Sequence, residues 1–552
     1  MRLRIVSGSC PALRPHGFTL LLVLVAVSLL SFAVYAFSGL MVTSASAGRT
    51  GVMQLQRRHL AESALELVSQ ETRAGVVLPL SEPLLLEMPD GTEAVLAVLP
   101  ALPGDPAQPV FGLQNESAKL NLNTLSVQPS RRQQALRRLM AIPGMRDGLA
   151  AAIMDWLDPD DEPSENGAEA SWYLAQSPPR LPANGPFREL QELLQVRGMT
   201  PEVLYGEDRN GNGLLDPEEN DGNRTEPADN SDGILQGGLS EYLTVVSAES
   251  TLSTDGTPRI WLNTPDLPAL YDQLQAKFGS EVAMYLTAGR LTGITWLDDV
   301  RPDEGADQEI RRLERLEQAR ERLNAQLGLS PASGNDNGPV ESIRGGLQLA
   351  RKGVFQYRSL VDLFGGQVRV TVGGKDQLLE SPWSADAATI EKMLPELEQV
   401  LTLTNEPAIR GRININLASE PVLASLPGLS TAQARAIRQL QPGRGEAGYE
   451  GYETVGWLLA RGVLSVGELR AVAPLITTRG SVVGGLAVGQ LRGHSAAAVM
   501  QFLCDCTGRR PRILWLRDLP VMAAEDLGVN ERTVVRGGPG KVRRLSNTSS
   551  AL

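Results

Sequence analysis

The sequence predicts an α+β fold. One membrane-spanning N-terminal helix packs on a small antiparallel sheet, and a large, mainly helical region is inserted into that sheet. Three observations predict it. The stretch from Gly17 to Val42 is apolar and contains no Asp, Glu, Lys or Arg. Strand-like runs stand near both ends of the chain, at 84–103 and 482–519, and the first set has too few partners to be stable alone. Between them Leu120-Asn121-Leu122-Asn123-Thr124 recurs as Ile413-Asn414-Ile415-Asn416-Leu417, and partly as Trp261-Leu262-Asn263-Thr264. Each copy precedes a helical stretch.

The apolar run is long enough to span a bilayer, which takes roughly 20 helical residues. As a single segment it must be a helix, because only a helix satisfies its own backbone polar groups in hydrocarbon. A cleaved secretory signal has a shorter apolar region of about 7–15 residues, followed by a small-residue site. Here Ala45-Ser46-Ala47 lies beyond the run. Helical spacing continues in Leu55, Leu60, Ala64, Leu65 and Leu67, with Gly48 and Gly51 as expected soft points.

At 552 residues the chain exceeds one ordinary core. Its net charge of −12 argues against a nucleic-acid partner. The three histidines, His16, His59 and His494, have no nucleophile or metal-ligand motif beside them, so histidine-based catalysis is not expected. An enzymatic reading of the carboxylates would need two acids flanking a substrate cleft; nothing in the sequence argues for one, and no enzymatic activity is expected. Three cysteines are too few for a disulfide framework. Cys504 and Cys506 fall on one face of a strand, where a bridge is expected to be strained, and read as packed strand residues.

In chain order, 84–98 predicts strands around a turn at Pro89-Asp90-Gly91, followed by a link from Leu102 to Pro109. Helices are expected at Leu149–Trp156 and Thr431–Gln439, each after a Pro-Gly turn: Ile142-Pro143-Gly144-Met145 and Leu426-Pro427-Gly428-Leu429. Phe187-Arg188-Glu189-Leu190 echoes Tyr452-Glu453-Thr454-Val455, and more loosely Tyr357-Arg358-Ser359-Leu360. Arg311–Leu327 reads as a charged helix and Ser330–Pro339 as a linker. Val482–Val488, Ala496–Cys506 and Ile513–Leu519 supply the closing strands.

Chemistry concentrates in one loop, from Asp208 to Glu219. Oxygen-bearing side chains occupy positions 1, 3, 5, 9 and 12 of a calcium loop, with Gly213 at position 6. Asp208, Asn210, Asn212 and Glu219 are the expected side-chain ligands. Leu214 would give its carbonyl, and Asp216 would act through water. The plain alternative is a solvated acidic loop.

The flanks of the apolar run carry a family resemblance. Met1 to His16 holds Arg2, Arg4 and Arg14 and no acid, and the run begins at Gly17-Phe18-Thr19-Leu20. This resembles the leader of type IV pilins and type II secretion pseudopilins. The resemblance implies that a prepilin peptidase cuts between Gly17 and Phe18 and methylates Phe18. Major pilins carry Glu at the fifth mature position, whereas Leu22 stands there. That departure, with the acidic stretch Asp155–Glu169 and Leu120–Thr124, resembles the general secretion pathway protein K family of minor pseudopilins.

The resemblance implies a pilin-like fold and a tip subunit of the periplasmic pseudopilus, held in the inner membrane by one helix. Other minor pseudopilins and the inner-membrane assembly platform are the implied partners. It also implies calcium in the helical domain, carried over to Asp158, Asp160, Glu165 and Glu169. The expected organisation is a leader at 1–17, a transmembrane helix at 18–42, and the helix continuation with first strands at 43–115. A first helical subdomain with the acidic loops follows at 116–250, then a middle helical repeat and linker at 251–410. A second helix-hairpin-helix-like (SAM-like) subdomain occupies 411–475, closing strands 476–532 and a disordered tail 533–552. Those Pro-Gly turns leave one alternative, a membrane-anchored helix-hairpin-helix DNA-binding protein of a DNA uptake system.

Overall fold

A computed structural model describes residues 16–71, 83–88, 91–100, 111–213, 215–222, 224–226, 229–253, 255–296, 342–442, 451–525 and 527–529. The leader before His16, Pro89 and Asp90 of the first turn, the Leu102–Pro109 link, Leu214, the Arg311–Leu327 helix, the Ser330–Pro339 linker and the tail after Arg532 lie outside the described residues.

One helix, His16–Glu71, runs unbroken for 56 residues, about 84 Å at 1.5 Å per residue. It passes through Gly48 and Gly51 without interruption. From Leu20 its apolar side chains are exposed, and this segment is long and apolar enough to cross a membrane. Farther along, Leu60, Ala61, Ala64, Leu65 and Val68 turn inward at helical spacing and pack on a sheet. Leu55 does not join that stripe: it is exposed, on the stretch of helix before the packed segment.

The sheet is antiparallel and is built from both ends of the chain. Leu84–Glu87 pairs Glu93–Leu99, which pairs Val482–Leu491, then Ala496–Asp505, then Arg512–Asp518. One face packs on the helix through Leu96, Val98, Val483, Ala487 and Phe502. The other face buries Val95, Ala97, Leu486, Val488 and Val499 under Leu519, Leu527 and Val529. Gly489 is the point of closest approach, where an added Cβ would collide with the backbone of Arg57 and Ala61.

Between the two halves of the sheet stands the inserted head, which shares one continuous hydrophobic core. Its recurring motif marks three copies of one device. Leu120–Asn121 pairs in parallel with Leu243–Thr244, Ile260–Trp261 with Leu401–Thr402, and Ile413–Asn414 with Ile476–Thr477. In each copy an asparagine reaches across to the chain that carries the aromatic echo. Asn123 Nδ2 donates to the carbonyls of Phe187 (2.8 Å) and Val245 (2.9 Å), and its Oδ1 accepts from Phe187 N–H (2.8 Å).

Asn263 repeats the pattern on Tyr357 and Leu403, with all three bonds at 3.0 Å. Asn416 donates to the Tyr452 carbonyl (2.9 Å) and accepts from Trp457 Nε1 (2.9 Å). A carboxamide donates and accepts from adjacent atoms in one plane, so one Asn side chain can bond both the N–H and the C=O of a neighbouring segment. The middle stretch, expected as a helical repeat and linker, also holds an antiparallel hairpin, Gly366–Val372 with Lys375–Glu380.

Candidate metal centre

The first helical subdomain builds an acidic pocket from two helices and a loop. Pro129–Met140 and Asp147–Leu157 are joined through Ile142-Pro143-Gly144-Met145, with Gly144 at φ 80°. The second helix is apolar and buried along most of its length, yet it carries Asp155 inward at 0% exposure. Its C-cap residue is Asp158. The chain then returns through a loop to Glu169, which is 1% exposed. Gly167 makes that return possible, because a Cβ there would overlap Asp155 Oδ2.

Asp155, Asp158 and Glu169 offer carboxylate oxygens that all lie within 4.8 Å of one another, and among the described residues they are the one such group of three. Arg132 reaches in from the first helix and pairs with both aspartates, donating to Asp155 Oδ1 and to Asp158 Oδ2 (2.6 Å). Ser164 closes the other side, its Oγ donating to Asp155 Oδ1 (2.6 Å) and its N–H to Oδ2 (3.2 Å). Asp158 Oδ1 and both oxygens of Glu169 remain buried without a partner. Burial, then the nearby Asp155 and Asp158, pushes the Glu169 carboxyl up to about 7. Buried acceptors left unsatisfied are rare in folded proteins, and an ion is one explanation. A hard cation bound through oxygens fits this donor set.

Of the four residues expected here, Asp158 and Glu169 come together, whereas Asp160 and Glu165 are exposed and stand apart from the cluster. Asp155 and Arg132 were missed. An aspartate inside an otherwise apolar helix, with a glycine twelve residues on, was the available signal.

The loop from Asp208 to Glu219 folds around its own carboxylates. Asp208 Oδ1 accepts from Asn212 N–H and its Oδ2 from Gly213 N–H, each at 3.0 Å. Glu219 closes the ring, accepting from Arg209 N–H (2.9 Å) and Asp216 N–H (3.1 Å). The side-chain amides of Asn210 (2.7 Å) and Asn212 (3.0 Å) both donate to Asp216 Oδ2. Gly211 and Gly213 take φ of 67° and 75°, a region that favours glycine. Burial raises both the Asp208 and the Glu219 carboxyls. Asn210 Oδ1 in turn accepts from Asn212 N–H at 2.9 Å, and the side chains of Asp208, Asn210, Asn212, Asp216 and Glu219 make the oxygen-rich set of a calcium loop.

Residues 118–205, which hold the buried acidic cluster, match the family model of type II secretion system protein K. Over that stretch the chain is similar to the type II secretion system protein K family. The protein K of Klebsiella pneumoniae is 47% identical over 51 residues, 9% of this chain and 16% of that protein. That of Pseudomonas aeruginosa is 38% identical over 90 residues, 15% of this chain and 27% of that protein. The putative protein K of Escherichia coli is 40% identical over 60 residues, 11% of this chain and 18% of that protein. The matched stretches thus span between 16% and 27% of the relatives' lengths. Among solved structures, the GspK–GspI–GspJ complex of enterotoxigenic Escherichia coli aligns over 87% of this chain and 98% of that chain. With 13% identity and a TM-score of 0.33, that likeness is too distant to bear on detail.

Beyond the matched residues the Asp208 loop touches the sheet, where Arg517 donates to the Asn210 carbonyl at 3.4 Å. Gly17 and Phe18 lie in the first turns of the long helix. A second charged cluster sits between the middle repeat and the third copy, around a cavity of about 50 Å³ lined by Glu249, Arg259, Glu398 and Arg412 among others. Arg479 pairs with Glu398 at 2.9 Å. Burial outweighs that partner and, with Glu249 nearby, raises the Glu398 carboxyl to about 7.

Proposed function

We propose that this chain is a minor pseudopilin that caps the tip of the periplasmic pseudopilus and supports protein export across the outer membrane. One observation carries the reading: a protein K domain stands in a head inserted into a sheet, and that sheet holds the end of an exposed apolar helix. The exposed half of the helix would sit in the inner membrane and then in a bundle with other minor pseudopilins. A major subunit leaves room above itself for the next one; the bulk of this head would fill that room. Prepilin peptidase would cut after Gly17 and methylate Phe18, and the inner-membrane assembly platform would receive the product.

Calcium is a structural cofactor in this reading. Asp155, Asp158 and Glu169 would hold one ion, and Asp208, Asn210, Asn212, Leu214, Asp216 and Glu219 another. The ion would neutralise the crowded carboxylates and supply no catalytic step. The helix pairs joined by Pro-Gly turns act as scaffold. Of the four arginines on the Pro129–Met140 helix, Arg132 turns onto the aspartates and Arg138 is half-buried, leaving Arg131 and Arg137 exposed rather than a basic run of the kind that neutralises phosphates. Mapping the N-terminus of the membrane-extracted protein tests the reading. A chain that starts at N-methylated Phe18, and a Gly17→Val variant that keeps its leader, are expected. A mature chain starting after Ala47 would overturn it.

A further inference from the structure

Two buried cysteines stand side by side on the helix-facing side of the sheet, at the end that adjoins the head. Cys504 and Cys506 are 2% and 0% exposed, and their Sγ atoms lie 3.7 Å apart. Residues two apart in a regular strand have Cα atoms about 6.8 Å apart, the upper limit for a disulfide. The strand is not regular here. It ends at Asp505, and Cys506 N–H donates to the Ser481 carbonyl at 2.7 Å. Beside it the pairing shifts between Leu503 and Cys504, which face Trp515 and Ile513 and leave Leu514 without a cross-strand partner. A bulge of this kind increases local twist, and the two sulfurs converge.

We propose that Cys504 and Cys506 form a disulfide in the exported protein. The two Sγ–H bonds break and one Sγ–Sγ bond forms. Two protons and two electrons leave, and they reduce the disulfide of a thiol–disulfide oxidoreductase to its dithiol. The proposal rests on the reading that the sheet lies outside the cytoplasm, where such bonds persist. The thiolate is the attacking species, and in the closed sheet the Cys504 thiol is pushed up by its hydrogen bond with Cys506 and by burial. The bond therefore closes before the long helix docks, and the helix then shields it. It would lock the corner where the head joins: Ser481 N–H donates to the Ala248 carbonyl (2.7 Å) and Ser250 Oγ to the Thr507 carbonyl (2.7 Å).

The full chain, extracted from membranes in detergent and denatured in N-ethylmaleimide without reductant, tests this by peptide mass. The expected peptide carries no maleimide on Cys504 or Cys506 until it is reduced, and is lighter than the dithiol by two hydrogens. In a second arm, reduced chain is refolded in detergent with a glutathione redox pair. A bridge in the extracted chain supports the proposal. A bridge only after refolding supports the pairing and refutes the exported location instead. Maleimide on both residues in both arms, or a bridge between two chains, overturns it.

Discussion

Gly489 sits beneath the long helix, where the backbones of Arg57 and Ala61 leave no room for a side chain. Gly489→Val should lower the melting temperature, by the equivalent of about 1–3 kcal/mol typical of overpacking, and calorimetry of the full chain checks it. The asparagine clamps act through hydrogen bonds instead. Asn263→Ala removes three of them, and each polar group left buried without a partner costs about 1–3 kcal/mol. Asn263→Leu should therefore not rescue it, although it restores the volume. Glu398 brings a pH dependence. Its folded carboxyl, raised to about 7, lies above the ordinary carboxylate range, so the folded state holds a proton that the unfolded chain has lost. Its contribution is most favourable below the unfolded value and declines as pH rises through about 7. The groups around it are Glu249, Arg259, Arg412 and Arg479. Melting temperatures across pH 5 to 8 should fall less in Glu398→Gln; an unchanged slope would assign the dependence elsewhere.

Two acidic elements are read as calcium sites, and their linkage is measurable. An ion that binds only the folded state stabilises it by about 2.7 kcal/mol at a hundredfold excess over Kd. The full chain should melt higher in calcium than in chelator, with magnesium helping less because it demands tighter octahedral geometry. Asp208→Ala with Glu219→Ala should remove one part of that shift, and Asp158→Asn with Glu169→Gln the rest. A shift that survives both pairs would place the ion elsewhere. Elements with strong apolar patterns were legible from sequence, among them the closing strands and the helices after the Pro-Gly turns. The hairpin at Gly366–Glu380 was not, because its second strand is mostly exposed and polar. The parallel pairs of two residues each were too short to carry a period, although their asparagines showed as a repeat. Asp155 reads from sequence only as the start of an acidic stretch, because its partner Arg132 lies on the preceding helix, a relation that spacing does not encode.

For the whole molecule, one exposed apolar helix and a head inserted into a split sheet set the proposed role. Leu22 is exposed on the helix and carries no carboxylate where major pilins carry Glu. Leu22→Ala should therefore leave secretion nearly intact, and a strong secretion defect would reveal a contact at that position. Native mass spectrometry of the chain, gently extracted from membranes, tests the tip assignment most directly. The account predicts a complex with one copy of this chain and other minor pseudopilins, without repeated copies of itself. A filament or ring of this chain alone, or a complex lacking any pseudopilin, would contradict it.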